Sequence, residues 1–352
     1  MASLFDPLKL GAIELPNRII MAPLTRARAG EIRVPNTLIA EHYAQRASAG
    51  LIISEATSVM PSGVGYEDTP GIWSDEQAEG WKLVTDAVHK AGGRIFMQLW
   101  HVGRISDPMF HDGAAPVSAS AIAAQGDVSL LRPKRPYPVP RALETSEIAA
   151  IVEAYRKGAE NAKKAGFDGV ELHGANGYLL DQFLQDGSNK RSDQYGGSLE
   201  NRARLMFEAV DAAISVFGAD RVGLHIAPRG DAHSMGDSDL EGTFLYVAKE
   251  MGKRGIAFLC SREHKGDDWL TPKLKAAFGG VYIANEGFDQ ASAEAALAAG
   301  EADAIAFGKL FISNPDLVER FRSNAPLNEW NLATFYVKGA TGYTDYPSLE
   351  MA

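Results

Sequence analysis

Cysteine is almost missing: Cys260 stands alone, which excludes an intrachain disulfide and any metal cluster built on thiolates. Positive charge is in short supply too. The 35 lysines and arginines face 45 aspartates and glutamates, a formal net charge of -10 that disfavours polyphosphate partners, so nucleic-acid binding is not expected. No apolar run approaches the ~20 residues that cross a bilayer. The opening Met-Ala-Ser-Leu-Phe-Asp-Pro has neither a basic start nor a long apolar core. A cytoplasmic protein without a membrane partner is expected. A Gly-x-Ser-x-Gly elbow is absent, and the eight histidines form no two-His helical motif, so neither a serine nucleophile nor a metal is expected.

What the chain does have is alternation. Short apolar runs at 18–22, 50–55, 94–99, 169–173, 222–227, 257–260, 281–284 and 304–307 read as strands. Segments of helical period fall between and after them, at 36–48, 77–91, 145–165, 198–217, 240–254, 272–278, 289–299 and 314–322. Eight such units without a compositional break predict a (β/α)8 TIM barrel forming one domain over residues 1–352, with a small N-terminal hairpin at 8–15 around Gly11 and Ala12. The connections 102–144 and 174–197 are too long for plain turns and follow strands on the face where barrels build active sites, so they are expected to act as lids.

The strand ends are polar. Met-Ala-Pro-Leu-Thr (21–25), Ser-Glu-Ala-Thr (54–57), Gln-Leu-Trp-His (98–101), His-Gly-Ala-Asn-Gly-Tyr (173–178) and Ala-Phe-Gly-Lys (306–309) each close a predicted strand. They offer hydrogen-bond donors without an evident nucleophile, which suits a site where a bound cofactor carries the chemistry. A Schiff-base lyase working through Lys309 and a non-catalytic flavin carrier are the alternatives from other classes.

The runs NRIIMAPLTR (17–26), HGANGYLLDQFL (173–184), QYGGSLENRAR (194–204), FISNPDL (311–317) and GYTDYP (342–347) occur in order along nearly the whole chain, and together they resemble the Old Yellow Enzyme family. The resemblance implies a barrel that binds FMN non-covalently, takes hydride from NADPH or NADH, and reduces electron-poor alkenes or nitro compounds by ping-pong kinetics. A monomer or weak homodimer goes with it. Position by position, it implies that Pro23 and Thr25 flank the isoalloxazine while Ala56 and Gln98 meet its pyrimidine edge. It implies that His173 and Asn176 share the substrate oxygen and that Tyr178 donates the closing proton. Tyr66, Trp100 and Tyr343 match positions lining the substrate cavity. Asn285, Gly287, Gly308 and Lys309 match the phosphate loops, where many relatives carry arginine at the last position and a small residue in place of Glu286.

The sharpest departure is His225, where most relatives place an arginine against the flavin. An imidazole of ordinary pKa ~6.5 is only partly charged at pH 7. Either the field of the reduced flavin protonates His225, or another group, such as Arg229 or Gln98, compensates.

Overall fold

A computed structural model describes residues 2–349. Two three-residue strands, β1 (Leu8–Leu10) and β2 (Ile13–Leu15), form an antiparallel hairpin, and β3 (Ile19–Met21) then opens the main sheet. This sheet continues through β4 (Leu51–Ile53), β6 (Ile95–Trp100), β9 (Gly169–Gly174), β10 (Val222–Ile226), β11 (Phe258–Arg262), β12 (Tyr282–Asn285) and β13 (Ala304–Phe307). All neighbours are parallel, and β13 pairs with β3, so the eight strands close into a barrel. The short β5 (Thr57–Ser58) adds to β6, and β7 (Val117–Ser118) pairs with β8 (Arg141–Ala142) outside the barrel.

Side chains along each strand alternate between two cores, as a period of two requires. Met97, Leu99, Val170, Leu172, Val222, Leu224 and Leu259 face outward into the core shared with the helices. Phe96, Phe258, Cys260, Ile283, Ile53 and Ala306 fill the barrel interior, which the hairpin closes from below with Leu10 and Leu15. Phe96 and Phe258 fit because their neighbours are glycines. A Cβ at Gly169 would lie 2.3 Å from the Phe96 ring, and one at Gly223 would lie 2.2 Å from the Phe258 ring. With two bulky rings below, the next inward positions along the same strands are Gln98, Glu171, His225 and Cys260, all buried. The barrel therefore turns from apolar to polar at one level, and that level floors the site.

Two predicted segments are corrected. The helix expected at 314–322 begins only at Leu317 and runs to Ser323, and a separate short helix, Lys309–Ser313, precedes it; Pro315 between them has no N–H to join the two into one ladder. The strand expected to stop at residue 260 runs on to Arg262, which carries that arginine to the barrel rim. The expected lid 102–144 does fold over the mouth: Val102, Ile105, Ala124, Val128, Leu131 and Tyr137 pack with Ala56, Tyr66 and Trp100. No described helix is long and apolar enough to cross a membrane.

Candidate active site

The turn leaving β9 is where local sequence and chemistry meet. His173 ends the inward face of the strand, Asn176 sits at φ 59° and Gly177 at φ 76°, and the Gly177 N–H donates to Asp181 Oδ2 at 2.9 Å. Asparagine tolerates the left-handed region better than most residues, and glycine adopts it freely, so the sequence Gly-Ala-Asn-Gly suits this reversal. The His173 ring accepts a 3.4 Å hydrogen bond from the Ala175 N–H at Nδ1. Burial, reinforced by the charges of His225, Arg262 and His233, holds its pKa well below the ordinary value. A neutral ring whose Nδ1 accepts must carry its proton on Nε2, so His173 presents a donor.

Tyr178 lies edge-on to His173 with ring centroids 4.9 Å apart, and its hydroxyl is 2.8 Å from that of Tyr66. Burial raises the pKa of both phenols, for Tyr178 against a partly offsetting hydrogen bond from Tyr66. Both therefore keep their protons at neutral pH. Trp100, expected to line the cavity, has no exposed surface and instead backs the other aromatics, 5.4 Å from Tyr66 and 5.0 Å from Tyr178 between ring centroids. Tyr343 is not brought to this cluster. Its ring stacks on His42 at 3.9 Å, with the Arg28 guanidinium 4.5 Å from its centroid, inside the helix-facing core.

Below these residues lies a row that spacing alone did not reveal. Gln98 Nε2 donates to Glu171 Oε1 at 2.7 Å, and the His225 Nδ1–H donates to the same oxygen at 3.3 Å. On its other side, His225 Nε2 is 4.0 Å from Cys260 Sγ. Glu171, His225 and Cys260 could each offer one atom to a metal. Because the imidazole turns one nitrogen to each neighbour, the set is a hydrogen-bonded row instead of a chelate. Burial pulls the His225 pKa down, but the neighbouring Cys260 and Glu171 pull harder and hold it at about 10. Burial also pushes the Cys260 thiol up, against the pull of the neighbouring His225. The partly charged imidazole expected from the sequence is thus corrected to an imidazolium. Arg229 is not its substitute: its Nε donates to Glu263 at 2.6 Å, and its other nitrogens go to Asp268 and the His264 carbonyl.

The loops after β12 and β13 lie side by side, tied by Asn285 Nδ2 donating to the Ala306 carbonyl at 2.8 Å, so that amide serves the loop itself. Gly287 has φ 81°, and a Cβ there would come within 2.9 Å of His264 Nδ1. At Gly308 a Cβ would lie 3.3 Å from Leu24. The Lys309 ammonium sits 4.9 Å over the Trp330 ring. Glu286 turns aside to the Arg262 guanidinium at 2.9 Å and the His264 ring at 3.4 Å. Pro23 and Thr25 leave β3 half-buried, and Ala56 is buried beside Tyr66. A polar floor with a fixed cation, half-buried Pro23 and Thr25 at one rim and a glycine-lined cradle at another together fit a flat, phosphate-bearing ring system such as FMN.

The family model described as NADH:flavin oxidoreductase / NADH oxidase matches residues 3–328. The solved structure of an Old Yellow Enzyme homologue from Zymomonas mobilis is 46% identical, covers 98% of this chain and 99% of its own, and superposes with a TM-score of 0.96. Morphinone reductase, solved in complex with tetrahydroNAD, is 49% identical over 99% of this chain and 98% of its own, with a TM-score of 0.96. A probable flavin mononucleotide-dependent alkene reductase of Leishmania infantum is 43% identical, covering 98% of this chain and 97% of its own length. Likeness of this extent reaches well past the shared barrel: the chain belongs to the NADH:flavin oxidoreductase / NADH oxidase family, that of the Old Yellow Enzymes, and is an NAD(P)H-dependent oxidoreductase that works through FMN.

Proposed function

We propose that the protein reduces electron-poor carbon–carbon double bonds, those of α,β-unsaturated ketones, aldehydes and maleimides, with nitrate esters and nitro compounds as further acceptors. The observation that carries the reading is the turn 173–178, which supplies a neutral imidazole donor, a carboxamide and a protonated phenol within six residues, the His173 and Tyr178 rings lying 4.9 Å apart. Reduced FMN supplies the hydride, and the nicotinamide and the alkene use the same site in turn.

Within this reading the His173 Nε2–H and the Asn176 Nδ2–H hold the substrate oxygen. Negative charge grows on that oxygen as the β-carbon is reduced, so two fixed donors stabilise the transition state more than the bound substrate. Tyr178 passes its phenolic proton to the α-carbon, and Tyr66 refills the hydrogen bond behind it. Gln98, Thr25, Pro23 and Ala56 would hold the ring of FMN, and the loops at Asn285, Gly287, Gly308 and Lys309 would receive its phosphate. His225, charged by virtue of Glu171 and Cys260, would provide a cation beside that ring.

Purified protein tests this directly. The expected result is a yellow sample that bleaches with NADPH under anaerobic conditions and recolours on adding cyclohex-2-enone. Protein that stays colourless after reconstitution with FMN, or that bleaches and never recolours with any enone, contradicts the proposal.

A further inference from the structure

Arg262 closes β11 at the rim of the barrel, where its guanidinium spans two loops. Nη1 donates to Asn176 Oδ1 at 2.9 Å, and Nη2 donates to Glu286 Oε1 at 2.9 Å. The two ends of an asparagine amide differ only in which is donor and which acceptor, and a free amide can turn either to a ligand. A guanidinium has five N–H groups and no acceptor, so the atom of Asn176 that faces Arg262 must be the oxygen. The NH2 group is thereby turned away from Arg262, and among the described residues it makes no hydrogen bond within the chain. The backbone of Asn176 is clamped as well, its carbonyl accepting from His233 Nδ1 at 2.6 Å. A residue at φ 59° held at both its carbonyl and its side-chain oxygen has little freedom left.

We infer that Arg262 is a positioning residue that fixes the Asn176 carboxamide as a hydrogen-bond donor toward the substrate oxygen, with Glu286 anchoring the guanidinium from the far side. This rests on the reading of Asn176 as an oxygen-binding residue. It also gives a function to Glu286, whose carboxylate has no evident use in a loop that receives a phosphate. The chemistry selected is an acceptor: a carbonyl, nitro or phenolate oxygen, and not a ligand that offers N–H or O–H there.

The test is binding of p-chlorophenol to the FMN-loaded enzyme, read from its long-wavelength charge-transfer absorbance, for six proteins: wild type, Asn176→Ala, Arg262→Ala, the Asn176→Ala/Arg262→Ala double variant, Arg262→Lys, and the charge exchange Arg262→Glu with Glu286→Arg. Losing one oriented hydrogen bond weakens binding by about 3- to 10-fold, so Arg262→Ala should approach Asn176→Ala, and the double variant should be no worse than Asn176→Ala alone. Lysine is also donor-only and should retain wild-type binding within about 2-fold. The exchanged pair keeps an ion pair but puts an acceptor against the amide, which turns the oxygen to the cavity and should weaken binding at least as much as Arg262→Ala. Unchanged binding in Arg262→Ala, multiplying losses in the double variant, or wild-type binding by the exchanged pair overturns the inference while the oxygen-binding role of Asn176 stands. Unchanged binding in Asn176→Ala overturns both.

Discussion

Two regions of this barrel bury charge, and they do so in opposite ways. Around the C-terminal segment, Arg26, Arg28 and Arg46 are buried against backbone carbonyls: Arg46 alone donates to Phe311, His42, Ile312 and Tyr343 at 2.7–3.3 Å. Arg26 and Arg28 likewise reach the carbonyls of Phe335, Gly342, Thr334 and Thr341. Such bonds have fixed polarity, and no proton can leave either partner near neutral pH. In the barrel floor, by contrast, Glu171, His225 and Cys260 are all titratable groups, and Glu171 Oε2 is buried without a partner among the described residues. Buried charge met by carbonyls ties the chain together; buried charge met by another titratable group depends on that partner, and changing the partner changes whether the charge persists.

Kinetic substitutions give the largest separation between the two regions. Tyr178→Phe should slow enone turnover by about 100- to 10,000-fold, the usual contribution of a general acid, and leave flavin reduction by NADPH nearly unchanged. Stopped-flow measurement of each half-reaction checks this, and equal losses in both would assign Tyr178 to packing. In the other region, Arg46→Met should strand several carbonyls and cost at least about 3 kcal/mol of stability, at roughly 1–3 kcal/mol for each group left unpaired. Urea unfolding measures the loss, and the protein that remains folded should still bind p-chlorophenol.

Smaller effects sharpen the contrast. Because the folded pKa of His225, about 10, lies above its ordinary value, the pair stabilises the fold fully below about pH 6.5 and loses that contribution as pH rises through about 10. Glu171→Gln should move this loss downward, since burial is then opposed by Cys260 alone. Stability curves from pH 5 to pH 10.5 that have the same shape for both proteins would argue that the pair is not charged. The smallest expected effect is on coupling: His173→Ala and Asn176→Ala each weaken phenol binding, and the double variant should lose less than their sum because they share one oxygen.

Much of this was legible in the residues. The period-two runs placed eight strands within a few positions of their true ends, and the His-x-x-Asn-x-Tyr motif, through the family resemblance, pointed to the turn proposed to bind the substrate oxygen. Glu171 escaped notice although it stands two positions before His173 and so shares its face, because a glutamate inside an apolar run shows no partner until the registers of β6, β9 and β10 are known. Arg262 escaped because its strand was ended too early. Tyr343 was misplaced for the opposite reason: a motif names a residue but not the direction of its ring, and here the buried arginines draw that ring into the core.

The most direct test of the contrast is potentiometric titration of the bound FMN at pH 6 and pH 8 in wild type and in Glu171→Gln. If Glu171 holds His225 charged across this range, the wild-type potential carries no contribution from His225 protonation, whereas the potential of Glu171→Gln falls more steeply with pH as the cation is lost or must be gained on reduction. Identical pH dependence in the two proteins would contradict the claim that the Glu171–His225 pair supplies the cation of this site.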